Sequence, residues 1–258
     1  MRVAAVQFAF DEGETLDARV ARMLQLLADA ASGADLVVLP ELWPNGGFTY
    51  QMWDPTAQTL GGPIVTALGR AARQHAVVVH GGSFVERHDD GSLTNTAVVF
   101  DGDGSTRAVY RKIHLFGFTD GEPKYLVGGD EVVVADTSVG RLGLATCYDL
   151  RFPEQFRLLT DAGCDAFVVP AAWPAPRVGH WTVLAQARAI ENQTPLVAVN
   201  TAGTHGGVPM GGRSIVVDAQ GVVLAEAGEN EQILRADIDA SATAAWRERF
   251  PALGDRRL

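Results

Sequence analysis

Cysteine is scarce in this chain. Two thiols, Cys147 and Cys164, are spread over 258 residues, too few for a disulfide-built scaffold. No stretch approaches the roughly 18 consecutive apolar residues that span a bilayer, so no membrane partner is expected. Nor is there a run of five or more basic residues. The formal net charge of −10 turns both nucleic acid and anionic membrane surfaces away. The six histidines are scattered, without the His-Glu-x-x-His spacing of a zinc helix, and no metal or cofactor is expected. No Pro/Ser-rich linker divides the chain, which reads as one domain over 1–258. A strand from Val3 to Phe8 leaves no room for a signal peptide, and the expected location is cytoplasmic.

Hydrophobic residues make up 47%, enough for a well-buried core at this length. Strand-like and helix-like stretches alternate, so the fold class is α/β. Strands are expected at Val3–Phe8, Leu36–Leu39 and Ala76–Gly81, with helices over 15–32 and 63–75. Asp101-Gly102-Asp103-Gly104 then turns a hairpin between Thr94–Phe100 and Ser105–Lys112. The second half repeats the rhythm. Its strands are Leu142–Cys147, Ala166–Pro170, Leu196–Thr201, Ser214–Asp218, Val222–Ala225 and Gln232–Asp237. Its helices are Pro153–Ala162, with proline near the first position, and Gly179–Asn192. Two halves with similar element order suggest a pseudo-symmetric two-layer sandwich. Two loops stand out: Phe116 to Asp130, long enough to suggest a function, and the segment 203–212, where five glycines would let backbone approach a ligand or simply form a surface loop.

Three residues carry the chemistry. Cys147 closes the apolar run Gly143-Leu144-Ala145-Thr146 and precedes Tyr148-Asp149-Leu150-Arg151-Phe152-Pro153, a strand-to-turn-to-helix junction with the sulfur at the turn. Glu41 ends Leu36-Val37-Val38-Leu39-Pro40, and Lys112 lies in Tyr110-Arg111-Lys112-Ile113-His114. A free thiol is only about 3% ionised at pH 7. Glu41 is therefore expected to act as general base, and Lys112 to stabilise the thiolate or a developing oxyanion. The N–H of Tyr148 would be the second oxyanion donor. On residue type alone, a cysteine at a strand end also fits a small buried hydrophobe. Cys164 is read as packing and His114 as structural, while Arg151 and Glu154 are expected to orient the nucleophile turn.

The surroundings of these three residues decide between the readings. Pro40-Glu41-Leu42, Tyr110-Arg111-Lys112-Ile113-His114-Leu115-Phe116 and Cys147-Tyr148-Asp149-Leu150-Arg151-Phe152-Pro153-Glu154 resemble, in order and interval, the base, lysine and nucleophile motifs of the nitrilase superfamily, the carbon–nitrogen hydrolases. The resemblance covers nearly the whole chain. It implies an αββα sandwich that pairs into a four-layer-forming αββα–αββα homodimer or higher homo-oligomer. It further implies a Glu–Lys–Cys triad, a covalent thioester intermediate and no metal. A second glutamate beyond the lysine is implied too, and Glu122 fits it, orienting Lys112 or the substrate and assisting proton transfer.

Tyr148-Asp149 follows the nucleophile where true nitrilases have Trp-Glu. The amidase-like branches, ω-amidases among them, are closer, and a small aliphatic or ω-amide is the expected substrate. N-carbamoyl amine or amino-acid hydrolysis is the alternative within the family, and a catalytically idle scaffold the alternative outside enzymes. Pocket walls are expected from Trp43–Phe48, Phe116–Tyr125, Ala172–Trp181 and Thr201–Gly207. Trp173 would cap the pocket or merely pack. Arg177 would clamp a substrate carboxylate or sit in solvent. Trp246 to Leu253 is expected to pack across a dimer.

Overall fold

The computed structural model of the protein describes residues 1–117 and 120–257. Its strands and helices run β1 (Arg2–Gln7), β2 (Ala9–Phe10), α1 (Leu16–Ala31), β3 (Leu36–Val38), α2 (Tyr50–Thr56), α3 (Pro63–His75), β4 (Val78–Arg87), β5 (Leu93–Phe100) and β6 (Thr106–Arg111). There follow β7 (Val134–Thr137), β8 (Gly140–Leu144), α4 (Pro153–Asp161), β9 (Ala166–Ala171), α5 (Val178–Asn192) and β10 (Leu196–Asn200). The chain continues through β11 (Ala202–His205), β12 (Val208–Pro209), β13 (Ile215–Val217), β14 (Val223–Glu226), β15 (Gln232–Asp237) and α6 (Ala240–Arg249).

Two six-stranded sheets carry the fold, ordered β15-β1-β3-β4-β5-β6 and β14-β13-β10-β9-β8-β7. In the first, β1, β3 and β4 are parallel and β5, β6 and β15 antiparallel. In the second, β8, β9 and β10 are parallel and β7, β13 and β14 antiparallel. Each sheet is thus a parallel triple with two antiparallel strands after it and one before it. The parallel steps need crossovers, and helices supply them: α1 and α3 in the first half, α4 and α5 in the second. This is the pseudo-symmetry the element order suggested.

Strand alternation explains the layers. Val3, Ala5, Leu36 and Val38 point inward against Leu142, Leu144, Val168 and Val197 of the facing sheet. The alternate residues Ala4, Val6, Val37 and Leu39 meet Met23, Leu27 and Leu68 of α1 and α3. Phe167 and Val169 likewise meet Phe156, Leu159, Trp181 and Ala185 of α4 and α5. The result is the expected αββα sandwich. Among the described residues no helix is long and apolar enough to cross a membrane.

Several elements depart from the sequence reading. The strand leading to Cys147 ends at Leu144, and Cys147 opens a short 3-10 turn, Cys147–Arg151. The glycine-rich segment folds into the β11–β12 hairpin, which joins β2 in a small third sheet. α2, β7 and α6 lie where the sequence reading assigned no element. α6 lacks an apolar stripe, which hides it from periodicity. It returns to its own chain, where Arg247 Nε donates to the Gln193 carbonyl at 2.9 Å and Gln193 Nε2 to the Phe250 carbonyl at 2.7 Å.

Two histidines are fully buried. Burial pushes His80 down to about 4 and His205 down to about 3, and the Nε2 of each lacks a partner among the described residues. Both fold as neutral rings. The unfolded chain binds their protons near pH 6.5 while the folded chain refuses them. Stability from this source is therefore complete above about pH 6.5 and lost as pH falls toward 4. Each ring contributes a slope of up to about 1.4 kcal/mol per pH unit in that window. Denaturant unfolding between pH 7.5 and 4.5 should show the decline, and His80→Gln should flatten it. A pH-independent midpoint would contradict the assignment.

Candidate active site

The candidate groups sit at the carboxyl ends of parallel strands, where open α/β sheets place their ligand sites. Glu41 follows β3, Cys147 follows β8, and Ala172 follows β9. The backbone at two of these points is unusual. Leu42 has φ 45° and Cys147 has φ 49°, left-handed conformations that a branched or bulky residue adopts only when its surroundings impose them.

At Glu41 the cause is β4. Its pairing with β5 slips between His80 and Ser83, and the resulting bulge carries Gly82 at φ 65° against the Pro40 carbonyl. A Cβ there would lie 2.0 Å from that oxygen. The Ser83 N–H donates to the Pro40 carbonyl at 3.2 Å, and Ser83 Oγ accepts the Leu42 N–H at 3.0 Å. The bulge thus aims Glu41.

At Cys147 the cause is Asp149. Its Oδ2 accepts the Thr146 N–H at 2.8 Å and the Tyr110 hydroxyl at 2.6 Å. Its Oδ1 accepts the His114 N–H at 2.9 Å and His114 Nδ1 at 2.8 Å. One buried carboxylate therefore ties the nucleophile turn to the residues on either side of Lys112. His114 also stacks on Phe152, centroids 3.7 Å apart. The structural role read for it holds, and Asp149, which the sequence reading passed over, supplies the reason.

Lys112 is only 1% exposed. Its Nζ donates to Glu41 Oε1 at 2.8 Å and to Glu122 Oε1 at 2.9 Å, and it forms an ion pair with Glu122 Oε2 at 2.8 Å. Glu41 Oε2 accepts the Ala172 N–H at 2.7 Å, and Glu122 Oε2 accepts the Phe116 N–H at 2.5 Å. Two buried carboxylates thus share one buried ammonium. Burial alone would lower Lys112, but the charges of Glu122 and Glu41 overcome it and hold the lysine well above its ordinary value, fully protonated. Burial pushes Glu122 up against the pull of Lys112.

Cys147 differs from the expectation in one respect. Burial, and then the charge of Glu41, raise its thiol well above the ordinary range, and the opposing pull of Lys112 does not compensate. Lys112 is committed to the carboxylates, and the resting sulfur is a neutral thiol. For such a thiol to attack a carbonyl, its proton would have to leave during the attack, and Glu41 lies beside it as an acceptor. The Tyr148 N–H makes no hydrogen bond to the described residues, leaving a donor open at the start of the turn.

These groups form the floor of a cavity with an empty volume of about 400 Å³, open solvent at its mouth included, a size suited to a small ligand. Glu41, Lys112, Glu122 and Cys147 line its buried end. Phe48, Tyr50, Phe116, Tyr148 and Trp173 make the walls, and the half-buried Arg151 and Arg177 complete the rim. Arg177 lies over the Phe116 ring at 5.3 Å and Arg151 over Trp173 at 4.7 Å. Trp173 itself is pinned by Nε1 donating to the Arg177 carbonyl at 2.8 Å. All seven residues singled out in the sequence line this one cavity. Thr201–Gly207 does not: the hairpin stands behind the wall, where His205 Nδ1 accepts the Gly47 N–H at 2.8 Å. Arg151 and Tyr50 are additions. Of the loop Phe116–Asp130, residues 118 and 119 lie outside the described residues. Among the described residues no cluster of His, Cys, Asp and Glu is arranged to hold a metal.

Comparison with known proteins gives the same picture. The carbon-nitrogen hydrolase family model matches residues 2–248. The 2-oxoglutaramate amidase of Paenarthrobacter nicotinovorans is 44% identical over 99% of this chain and 89% of its own length. An omega-amidase of Homo sapiens is 34% identical over 92% of this chain and 89% of its own. Among solved structures, a Glu-to-Gln mutant of the amidase from Nesterenkonia sp. AN1 superposes with a TM-score of 0.88 at 26% identity, covering 100% of this chain and 94% of that one. Its active-site cysteine carries the acetamide moiety of fluoroacetamide. With the family model running almost end to end, the chain belongs to the carbon-nitrogen hydrolases of the nitrilase superfamily and is a hydrolase of carbon–nitrogen bonds other than peptide bonds.

Proposed function

We propose that this protein hydrolyses the terminal amide of a small carboxylate-bearing ω-amide, of the 2-oxoglutaramate class, to the acid and ammonia through a thioester on Cys147. The observation that carries the reading is the polarity of the cavity. Its floor holds a thiol beside two carboxylates and one ammonium, and its rim holds two arginines. A ligand with an amide at one end and a carboxylate at the other fits that gradient. The name of the 44% identical relative favours the same substrate class.

In the proposed cycle, Glu41 takes the Cys147 proton as the sulfur attacks the amide carbon. The carbonyl electrons move onto oxygen, where the Lys112 ammonium and the Tyr148 N–H receive them. Glu41 returns the proton to the amide nitrogen as the carbon–nitrogen bond breaks, releasing ammonia. Water then enters and loses a proton to Glu41 as it attacks the thioester carbon. Collapse of that second intermediate expels the thiolate, which recovers its proton from Glu41, and frees the acid. Glu122 holds Lys112 in place throughout, and no step requires a cofactor.

Ammonia release from a panel of ω-amides, uncharged aliphatic amides, N-carbamoyl compounds and nitriles tests the reading. Turnover fastest with carboxylate-bearing ω-amides supports it. Turnover confined to carbamoyl compounds or nitriles would keep the triad and overturn the substrate. Arg177→Ala should raise KM for a carboxylate-bearing amide by about 10- to 100-fold, the worth of a charged hydrogen bond. KM for an uncharged amide should hardly change. Equal effects on both substrates would remove Arg177 from carboxylate binding.

A further inference from the structure

Asn95 lies on β5 in the middle of the cluster. Its side chain is 1% exposed. Nδ2 donates to Glu41 Oε1 at 2.8 Å and to Glu122 Oε1 at 3.1 Å, the same two oxygens that Lys112 Nζ contacts. The four groups form a closed ring in which donors and acceptors alternate. Asn95 and Lys112 are joined across the strands as well, by the Lys112 N–H donating to the Asn95 carbonyl at 2.9 Å. Both amide hydrogens are used, and Oδ1 has no partner among the described residues. Turning the amide round would aim that oxygen at two carboxylates, so the donor orientation is fixed by its surroundings.

The geometry points to Asn95 as a positioning residue that keeps Glu41 and Glu122 as a pair of bare acceptors around a single cation, so that Glu41 is free of a proton when the thiol must give one up. This rests on the reading of Glu41 as the base. Two carboxylates against one ammonium leave a net negative charge in a buried site, and a proton bound between them would relieve it. A neutral amide that donates to both sides opposes that uptake without adding charge. A lysine in its place would pair both carboxylates fully, and an aspartate would add to the repulsion.

The groups facing this ring come from several elements. They are Glu41, Lys112, Glu122 and Cys147, the Tyr50 phenol from α2, and Arg151 and Arg177 at the rim. Burial and then the charge of Glu122 push Tyr50 up, so it stays neutral. On the opposite face of β5, Thr94 and Thr96 donate to Glu86, which pairs with Arg111 at 2.9 Å and lies 3.6 Å from His88. That second group shares no hydrogen bond with the ring.

The test is the pH profile of kcat/KM. Asn95→Leu keeps the volume and removes both donors. Its acid limb should move up by about 1–2 pH units, the worth of a hydrogen bond to a charged group, with the loss of rate concentrated below neutrality. Asn95→Asp should move it the same way, and Asn95→Ser, which keeps one donor and covers the case of a misfolded leucine variant, should move it less. An unmoved limb in folded variants, with activity lowered equally at every pH, would overturn the inference. Glu41→Gln separates that failure from failure of the underlying reading. If it is inactive while the Asn95 limbs stay put, only the inference falls, and if it turns over with the wild-type limb, Glu41 is not the base.

Discussion

Replacing Cys147 with alanine is expected to lower turnover by about 10⁴-fold or more, as removal of a covalent nucleophile does elsewhere, while leaving the fold in place. The side chain is small, and the turn that presents it is held by Asp149 through Thr146, Tyr110 and His114. None of those bonds uses the sulfur, so the thermal midpoint should stay near that of the wild type. Activity and stability separate at this position because the strained φ of 49° is imposed by neighbours. An alanine variant that retains turnover would remove Cys147 from the chemistry. One that unfolds would show the turn to be weaker than its hydrogen bonds imply.

Lys112→Met should fail on both counts. The methionine matches the stem of the lysine but leaves Glu41 and Glu122 facing each other, 2% and 4% exposed, with only the Asn95 amide between them. Breaking a buried ion pair from one side costs about 3–5 kcal/mol, which in a protein of this size lowers the melting midpoint by about 10 °C. Turnover should fall further than stability suggests, by about 10³-fold or more. An oxyanion donor is lost, and one carboxylate must take up a proton, which removes the base. Lys112→Arg should not rescue, because a planar fork cannot occupy the position of a compact ammonium between two acceptors. Unchanged stability would mean that the carboxylates do not depend on the lysine. Unchanged turnover would remove Lys112 from oxyanion binding.

The contrast between these variants shows which parts of the site were legible in the sequence. Glu41, Lys112 and Cys147 end apolar runs, and the motifs around them are local, so both their identity and their convergence could be read. Glu122 came only from the family resemblance, which implies a second glutamate beyond the lysine. Asn95 and Asp149 were missed because their importance is not local. Asn95 is an ordinary strand residue until β5 places it beside Lys112 and β3 delivers Glu41 to the same point. The visible signal was a polar Thr94-Asn95-Thr96 in a strand whose eight residues are all buried, since a buried amide demands partners. Asp149 stood inside the nucleophile motif, but three of its four donors come from Tyr110 and His114 in the distant lysine segment. Arg151 was assigned to the turn alone because a sequence does not show that the side chain reaches back over Trp173.

The fold followed the same division. Short apolar runs located every strand of the two parallel triples, and helix-like stretches between them located the four crossover helices. The elements without such patterns escaped. α6 has no apolar stripe, α2 is a short segment with Pro55 inside it, and the 203–212 hairpin is too rich in glycine to carry alternation. Lys112 does pull the Cys147 thiol toward the thiolate, as expected, but burial and the charge of Glu41 outweigh that pull and leave the sulfur protonated.

The proposed cycle turns on an acyl group carried by Cys147, which intact-protein mass spectrometry detects after rapid mixing with a carboxylate-bearing ω-amide and acid quench. A transient mass increase equal to the acyl moiety is expected, mapped by digestion to the peptide containing Cys147, sensitive to hydroxylamine and absent from Cys147→Ala. Turnover of the same amide with no adduct at any time point, and undiminished in Cys147→Ala, would contradict it.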